Sequence, residues 1–406
     1  MGWPLAADAS QLHGGAPWWL VRHGLHDVRG RLPPRCDVVI VGAGITGALV
    51  ADALAGAGVA VVVVDRRVPG SGSTAASTAL LQYELDLELL QLIEKTGYHR
   101  AVRVYQRAAA AIAGFESLVG ELGDGCGFAR RQSIYLASRR RDIDRLQREA
   151  VARVGIGIEA RFCNEIEVAT EFGLPGHGAI VSPCAAVIDP LRLTRALLDR
   201  ATTRGAVVVE WTTAILAETA PAGGLLVTTT RGSVLADRIV LACGYEVPPC
   251  IEPGMTSLHS TFALVTEPCD DPGPLADRAI VWESARPYSY LRNDGRRMIL
   301  GGFDLPFRSP ALRDAAIPRQ TRRLESQLHR WQPDLLARIE YSWAGTFGET
   351  DDSMPVIGPV EGTDRIDFAL GYGGNGIVFS LIAAELLRDR CLGRVHPDHA
   401  LFDQRR

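Results

Sequence analysis

Apolar and polar positions between residues 37 and 65 follow an order that predicts two strands joined by a helix. Residues 37–41 form an apolar run, residues 45–57 have apolar side chains at helical spacing, and residues 59–64 form a second run. The turn after the first run contains glycines in G-x-G-x-x-G spacing, namely Gly42, Gly44 and Gly47. Asp65 ends the second run, where an acid can bind ribose hydroxyls. The pattern predicts a Rossmann-type unit that binds a dinucleotide.

The alternative for this stretch is a membrane helix, since residues 38–64 are almost wholly apolar. Asp52 and five glycines within the stretch argue against it. The 406 residues are 47% hydrophobic and 22% charged, with a net charge of −4, which is typical of globular proteins and does not indicate a nucleic-acid partner. The N-terminus lacks the basic start and apolar core of a signal peptide. We therefore expect a cytoplasmic protein without a membrane span.

Helical and strand patterns alternate through the rest of the chain. Helical spacing predicts helices over 77–119, 141–154, 191–203 and 377–390. Strand patterns occur at 133–137, 207–209, 238–242 and 367–370, with a strand–turn–strand pattern at 179–190 and a hairpin at 225–235. Between residues 252 and 343 strand alternation dominates, at 260–265, 288–292 and 298–301. This middle block predicts a second lobe built on an antiparallel sheet.

A second G-x-G-x-x-G turn, at residues 371–376, lies between the last strand and the last helix. Too little chain follows the helix for another strand–helix–strand unit. We interpret the turn as a helix N-terminus aimed at a ligand held by the first motif, where N–H donors would stabilise negative charge on a flavin ring. The alternative is an ordinary glycine-rich connection in which Asn375 caps the helix.

Metal and disulfide chemistry is not indicated by the spacing of cysteine and histidine. The eight cysteines include no C-x-x-C pair, and the nine histidines form no cluster with ligand spacing. We expect reduced thiols and no metal site.

Several segments together resemble the FAD-dependent oxidoreductases of the D-amino acid oxidase superfamily, which includes glycine oxidase, sarcosine oxidase and gamma-glutamylputrescine oxidase. They follow the order of that family along the chain. The matching segments are DVVIVGAGITG at 37–47, Asp65, GSGSTAASTALL at 70–81, AAVIDPLRL at 185–193, LACGY at 241–245, RNDGRRMILGGFD at 292–304, WAGTFGETDDSMPVIG at 343–358 and FALGYGGNGI at 368–377.

The resemblance implies an α/β fold with a Rossmann-type, glutathione-reductase-like FAD-binding domain and an inserted α+β substrate domain with an antiparallel sheet. The FAD-binding domain would comprise residues 36–95, 150–250 and 344–406. The substrate domain would comprise residues 96–149 and 251–343, and residues 1–35 would form an N-terminal arm.

The resemblance also implies which residues bind FAD. Gly42, Gly44 and Gly47 would hold the pyrophosphate, Asp65 the adenosine ribose, and residues 373–377 would face the flavin ring. The full set of implied cofactor-binding residues adds Ile45, Thr46, Arg66, Ser73, Thr74, Thr78, Ala79, Leu80, Val187, Cys243, Gly244, Gly373, Gly374, Asn375, Gly376 and Ile377.

Three departures from the family limit what the resemblance implies. Amino acid oxidases of this group carry an arginine for the substrate carboxylate where this chain has Gly345-Thr346-Phe347. Sarcosine oxidases attach FAD to a cysteine at a place that aligns with Gly345, so we expect non-covalent FAD. Their oxygen-activating lysine aligns near Ile299, and the one lysine of this chain is Lys95. Oxygen as electron acceptor is therefore not implied.

Tyr288, Tyr290 and Arg292 alternate along one predicted strand and so share a face. If that face lines the flavin pocket, the two rings would flank an amine and Arg292 would hold an acid group. Trp343 and Tyr83 are further pocket candidates. The alternative is that the face packs against its neighbours, because aromatic residues are common in strands.

The patterns and the resemblance together predict an FAD enzyme that oxidises a C–N bond of a small amine or amino acid. Hydride transfer to flavin N5 from the carbon beside a neutral nitrogen would give an imine without an assigned protein base. The electron acceptor would be O₂ or a carrier. The alternatives are an FAD-dependent dehydrogenase of a hydroxy acid or polyol, and a flavoprotein subunit without independent turnover.

Overall fold

The computed structural model describes residues 2–8, 10–28, 30–221, 223–271, 273 and 275–406. Residues 1, 9 and 29 of the predicted N-terminal arm lie outside the described residues. Among the described residues, no helix combines the length and the apolar character needed to cross a bilayer. The same residues contain no cluster of three or more His, Cys, Asp or Glu side chains placed to hold a metal ion.

Strands and helices are interleaved in most of the described chain, and the described strands from residue 207 to residue 305 follow one another without a helix. The strands are β1 (Gly2–Pro4), β2 (His13–Gly15), β3 (Arg35–Val41), β4 (Val61–Val64), β5 (Leu80–Gln82), β6 (Ala129–Leu136), β7 (Arg161–Asn164), β8 (Gly178–Val187), β9 (Val207–Val209), β10 (Ala214–Thr219), β11 (Leu225–Thr229), β12 (Gly232–Leu241), β13 (Ser257–Thr266), β14 (Ala279–Glu283), β15 (Ser289–Asp294), β16 (Arg297–Leu305), β17 (Ile339–Glu349), β18 (Val356–Pro359) and β19 (Ile366–Leu370). The helices are α1 (Trp18–His23), α2 (Ile45–Gly56), α3 (Ser73–Ala76), α4 (Leu89–Thr96), α5 (Tyr98–Leu122), α6 (Ile143–Gly155), α7 (Glu165–Phe172), α8 (Pro190–Thr203), α9 (Pro310–Trp331), α10 (Gly376–Cys391) and α11 (His399–Phe402).

The first sheet contains the parallel strands that carry the first glycine motif. β3 pairs in parallel with β4 and β12, β4 with β9, and β12 with β19. The antiparallel strands β1, β10 and β11 continue the sheet beyond β12, and β18 pairs with β19. Helices α2, α5, α8 and α10 share one buried apolar cluster with β3 and β4. The predicted strand–helix–strand unit therefore lies inside the core.

The second sheet is largely antiparallel and forms the other wall of the molecule. Its strands run in the order β2, β17, β13, β16, β15, β14, β6, β8 and β5, with β7 beside β8. β14 and β6 are a parallel pair within it. The predicted α/β fold class is confirmed by these two sheets and their helices. The division into domains stays a prediction, and β8, within the range assigned to the FAD domain, pairs in this second sheet.

The N-terminal arm joins the two sheets. β1 pairs with β10 in the first sheet, and β2 pairs with β17 in the second. Trp19 is fully buried, and its indole N–H donates to the carbonyl of Ser77 over 2.7 Å. The arm is thus joined to both sheets by backbone pairing.

Several predicted elements are wrong in detail, because long-range strand pairing overrides local spacing. The predicted helix over 77–119 begins instead with β5, whose Leu80 pairs with Val187 of β8. The remainder is two helices, α4 and α5, which are separated at Gly97 by its positive φ of 87°. Residues 178–187 form one continuous strand rather than two, and the second hairpin strand continues to Leu241 as β12. The sequence patterns also missed α9, which starts at Pro310 behind the capping side chain of Ser309.

Candidate active site

One cavity runs between the two sheets, from the carboxyl ends of β3, β4 and β12 to strands β15 and β16. Gly42, Asp65 and Cys243 line the first end, and Tyr288 and Tyr290 line the other. The short helix α3 and the N-terminus of α10 line its middle. In a sheet with parallel strands, their carboxyl ends are the usual place for a ligand. Most predicted cofactor-binding residues line this cavity, namely Gly42, Gly44, Ile45, Thr46, Asp65, Arg66, Ser73, Thr74, Thr78, Ala79, Leu80, Cys243, Gly244, Gly373, Gly374, Asn375, Gly376 and Ile377.

The first glycine turn is packed as closely as glycine allows. Gly42 has a φ of 109°, and a Cβ at that position would lie closer than 3.0 Å to the carbonyl of Ala242 on the neighbouring strand end. A Cβ on Gly47 would clash in the same way with the carbonyl of Gly42. Gly47 does not line the cavity; it lets α2 begin directly against the turn. A ligand can therefore approach the backbone of residues 42–45 without side chains in between.

Asp65 closes this end of the cavity with a buried carboxylate. One carboxylate oxygen accepts from the N–H of Ala43 over 2.6 Å, and the other from the N–H of Arg67 over 2.8 Å. Burial raises the pKa of Asp65, while these two backbone donors and the Arg67 charge act in the opposite direction. Each oxygen keeps a lone pair for a ribose hydroxyl. Arg66 also lines the cavity, but its guanidinium donates to the carbonyl of Ala7 in the arm.

Several donors along the cavity have no partner within the protein. The hydroxyl of Ser73 is buried and unpaired. The N-cap residues of α2 and α10 supply no side-chain cap at the cavity, whereas α8 is capped by Asp189; in α2 the N–H of Ile45 donates to Thr74 Oγ1 over 3.0 Å. Uncapped first turns leave backbone N–H groups and a partial positive charge for an anionic ligand. These donors fit phosphate at one end and developing negative charge at the other.

The second glycine turn brings α10 to the middle of the cavity. Gly371 and Gly373 have φ angles of 75° and 57°, and one short 3₁₀ turn precedes the helix. Asn375 occupies the N-cap position, but its side chain donates to the carbonyl of Glu84 instead of capping α10. The alternative in which the Asn375 side chain caps the helix is therefore wrong.

Beyond α10 the cavity widens into what we call the aromatic chamber. The ring centroids of Tyr288 and Tyr290 are 5.9 Å apart, and those of Trp282 and Tyr288 are 6.3 Å apart. Gly301 on the adjacent strand lies beneath Tyr290, whose hydroxyl would be 2.6 Å from a Cβ there. The chamber residues are Gln82, Glu84, Asp86, Thr261, Trp282, Tyr288, Tyr290 and Asp304.

Of the five residues predicted for the substrate pocket, three lie outside the cavity lining. Arg292 is buried and donates to the carbonyls of Ala79 and Ile188 over 3.0 and 2.9 Å. The indole N–H of Trp343 donates to the carbonyl of Ala76, and the hydroxyl of Tyr83 contacts buried Arg153. Strand alternation correctly placed Arg292 on the same face as Tyr290, but the loop at residues 78–79 lies between Arg292 and the cavity. Tyr288 and Tyr290 do line it, and their contact with substrate stays a prediction.

Val187 is also absent from the cavity lining, since it pairs with Leu80 in the second sheet and is buried there. The sequence patterns missed Asp86, Trp282 and Asp304, which the fold brings to the chamber from three separate segments. Asp304 ends the quoted segment RNDGRRMILGGFD, but no local spacing distinguishes it from a surface acid. Asp86 lies in a stretch that was interpreted as helix.

We expect replacement of Arg292 by methionine to destabilise the protein without changing the KM for substrate. The variant removes the donor from the buried carbonyls of Ala79 and Ile188, so the free energy of unfolding should fall by roughly 2 kcal/mol or more. Urea denaturation measures the change. A raised KM at unchanged stability would instead place Arg292 in the pocket.

Comparison with known proteins agrees with this geometry. The family model described as "FAD dependent oxidoreductase" (DAO) matches residues 37–390. The glycine oxidase of Bacillus licheniformis is 26% identical over 370 residues, covering 88% of this chain and 94% of that protein. A probable oxidoreductase OrdL of Rhizobium meliloti is 26% identical over 383 residues, covering 89% and 84%.

Among solved structures, the glycine oxidase of Geobacillus kaustophilus superimposes with a TM-score of 0.78 at 22% identity, covering 91% of this chain and 98% of that one. That likeness shows the same fold. The family model covers most of the chain and begins at the strand before the first glycine turn. The chain therefore belongs to the DAO family of FAD-dependent oxidoreductases.

Proposed function

We propose that the protein oxidises the C–N bond of a small amine or amino acid to an imine, which then hydrolyses. The observation that carries the proposal is the continuity of the cavity from Asp65 to Tyr288. A dinucleotide bound at the first glycine turn can extend along it to the N-terminus of α10 and the aromatic chamber. The glycine oxidases among the relatives support a nitrogen-bearing substrate.

The residues along the cavity fit FAD. Asp65 would bind the ribose, the first glycine turn and the start of α2 would hold the pyrophosphate, and the unpaired hydroxyl of Ser73 would donate to a phosphate oxygen. When bound, FAD supplies a hydride acceptor at N5. The first turn of α10 offers uncapped N–H groups, and its positive end would stabilise the negative charge that develops as hydride arrives.

The aromatic chamber would orient the substrate and exclude water. Burial beside Asp86 raises the pKa of Tyr288, so its hydroxyl stays protonated and donates to Asp86 Oδ1 over 2.8 Å. This contact fixes one ring, and the packing over Gly301 fixes Tyr290. The chain thus supplies positioning and charge stabilisation, and hydride transfer from the carbon beside a neutral nitrogen needs no protein base.

The electron acceptor is a separate part of the proposal. Lys95 does not line the cavity, and its ammonium donates to the carbonyl of Asp351. The position of Lys95 therefore does not favour O₂ over a carrier or quinone as the electron acceptor. The test is to incubate the FAD-loaded protein with amines, amino acids and hydroxy acids, with oxygen or a redox dye as acceptor. Formation of an aldehyde or keto acid together with ammonia or a released amine supports C–N oxidation. Product formation from hydroxy acids alone would favour the dehydrogenase alternative.

We expect the bound FAD to be non-covalent. Gly345, which aligns with the cysteine that binds FAD covalently in sarcosine oxidases, lines the cavity. Cys243 is the one thiol among the described lining residues. Cys243 lies at the Asp65 end, and burial raises its pKa to about 12, which keeps it an unreactive thiol. Acid precipitation should leave all the flavin absorbance in the supernatant. Flavin that sediments with the protein would show a covalent bond.

A further inference from the structure

Glu84 and Asp304 of the aromatic chamber each have a buried carboxylate oxygen without a hydrogen-bond partner, but the other oxygen of Glu84 accepts from Ser133 and Arg153. Asp304 lies on β16 and lines the cavity. Its Oδ1 atom is buried and has no hydrogen-bond partner. A buried, unpaired carboxylate oxygen is costly unless a ligand or a proton satisfies it. Asp304 is therefore placed to meet a group that carries donors or positive charge.

Asp86, another acid of the chamber, is already paired. Its Oδ1 accepts from the hydroxyl of Tyr288, and its Oδ2 accepts from the N–H of Gly374 over 3.1 Å. Asp86 thus ties the aromatic wall to the second glycine turn. Its negative charge nevertheless adds to that of Asp304, because Asp86 contributes to the raised pKa of Asp304.

The surrounding arginines offset these acids only in part, because the Arg286 charge lowers the pKa of Asp304 by less than Asp86 raises it. None of the described residues that line the chamber is basic. The guanidinium of Arg292 donates to backbone carbonyls. The guanidinium carbon of Arg286 lies 4.9 Å from the centre of the Tyr288 ring, and this side chain donates to the carbonyl of Asp86. Arg313, behind the wall at Thr346, donates to Gln11 and does not line the cavity.

We propose that the chamber binds an amine cation that has no carboxylate on its reacting carbon, with Asp304 as the residue that pairs with the nitrogen. The inference rests on the proposed function and narrows its substrate class. The faces of Trp282, Tyr288 and Tyr290 attract a cation, while a substrate carboxylate would meet acidic side chains and no arginine among the described residues that line the chamber. One proton then passes from the bound nitrogen to the carboxylate of Asp304, which leaves the neutral amine that can donate hydride.

The binding test uses two unreactive probes of similar size on the FAD-loaded protein. Benzyltrimethylammonium carries a positive charge and benzoate a negative one, and calorimetry measures both affinities without turnover. We expect the cation to bind at least about tenfold more tightly than the anion. Tighter binding of benzoate, or no binding of the cation, would overturn the proposal and point to Arg313 as a carboxylate partner.

Asp304→Asn is the matched variant, and Glu218→Gln at an exposed position of strand β10 is its control. We expect the first to weaken cation binding about tenfold or more and the second to leave it unchanged. Equal cation affinity of the Asp304→Asn and parent proteins would overturn the assignment. The comparison of the cation and the anion on the parent protein tests the proposal even if the Asp304→Asn variant does not fold.

The pH dependence gives a second readout. Burial raises the pKa of Asp304 to about 7, so its ionised form, which the cation needs, gains population as pH rises through that value. Cation affinity should therefore increase between about pH 6 and pH 8 in the parent protein and change less in Asp304→Asn. The other groups that face Asp304 are Asp86, Glu349 with its partner His259, Arg286, Thr261 and the two tyrosines Tyr288 and Tyr290. An equal pH slope in the parent protein and in Asp304→Asn would show that one of these neighbouring groups titrates instead of Asp304.

A turnover comparison separates this inference from the proposed function. Benzylamine and phenylglycine share the reacting carbon and differ in the carboxylate. Loss of the flavin band with benzylamine but not with phenylglycine supports the inference, and the reverse overturns it. If neither compound changes the band while the cation still binds through Asp304, the proposed oxidation fails and the cation site stands.

Discussion

Replacement of Gly47 by alanine is expected to weaken FAD binding by about 100-fold or more and to destabilise the fold. A Cβ at Gly47 would lie closer than 3.0 Å to the backbone carbonyl of Gly42, which no side-chain rotation can relieve. Helix α2 would have to move away from the turn, although ten of its residues are buried in the core. A displacement of that size in a packed core costs about 3 kcal/mol or more, and it removes the backbone donors from the pyrophosphate.

The control for this variant is Gly120→Ala on α5, where an added Cβ meets no heavy atom within 4 Å. Gly120 lies within a helix, so alanine should leave FAD affinity unchanged and stabilise the protein by about 0.5–1 kcal/mol. FAD titration and thermal unfolding measure both effects. A Gly47→Ala protein that binds FAD like the parent would show that the turn does not require this close approach.

Replacement of Arg153 by methionine should lower the free energy of unfolding by about 3–5 kcal/mol. Arg153 is fully buried, and its guanidinium contacts Glu149 at 2.9 Å, the hydroxyl of Tyr83 at 3.1 Å and Glu84 at 3.4 Å. Without it, Glu84 and Glu149 would be two buried carboxylates with no cation between them. Burial already raises the pKa of Glu84 in the parent protein, where the Arg153 charge acts in the opposite direction.

The loss should also depend on pH in a defined direction. Removing Arg153 raises the pKa of Glu84 further in the folded state, so the variant loses stability as pH rises and regains part of it as Glu84 becomes protonated. Urea denaturation should show a smaller deficit at about pH 5 than at about pH 8. Arg148→Met on the exposed side of the same helix is the control, with an expected change within about 0.5 kcal/mol. A deficit that is large but independent of pH would contradict the charge argument.

The parts of the fold that could be predicted are those with a local cause. The first glycine turn, α2 and Asp65 follow from apolar runs and from a turn that only glycine can form, so spacing alone located them. β5 was mistaken for helix because its apolar residues satisfy pairing with β8, a partner about 100 residues away. The helix α9 was missed because its strongly polar sequence lies inside a block dominated by strands.

The candidate site shows the same division. At the cofactor end, the glycine turn and Asp65 belong to one continuous segment and could be predicted, whereas the aromatic chamber is assembled from segments around residues 82–86, 261, 282–290 and 304. Alternation predicted a common face for Tyr290 and Arg292. Alternation does not predict that the loop at 78–79 covers Arg292, or that Asp86 and Asp304 face the same chamber.

Anaerobic titration of the purified protein tests the central claim most directly, namely that this cavity binds FAD beside a chamber for C–N oxidation. We expect one flavin per chain after incubation with FAD, with a visible absorption band that stoichiometric amounts of a suitable amine or amino acid abolish in the absence of oxygen. A protein that takes up no flavin, or whose flavin band survives the whole panel of amines and amino acids, would contradict the account.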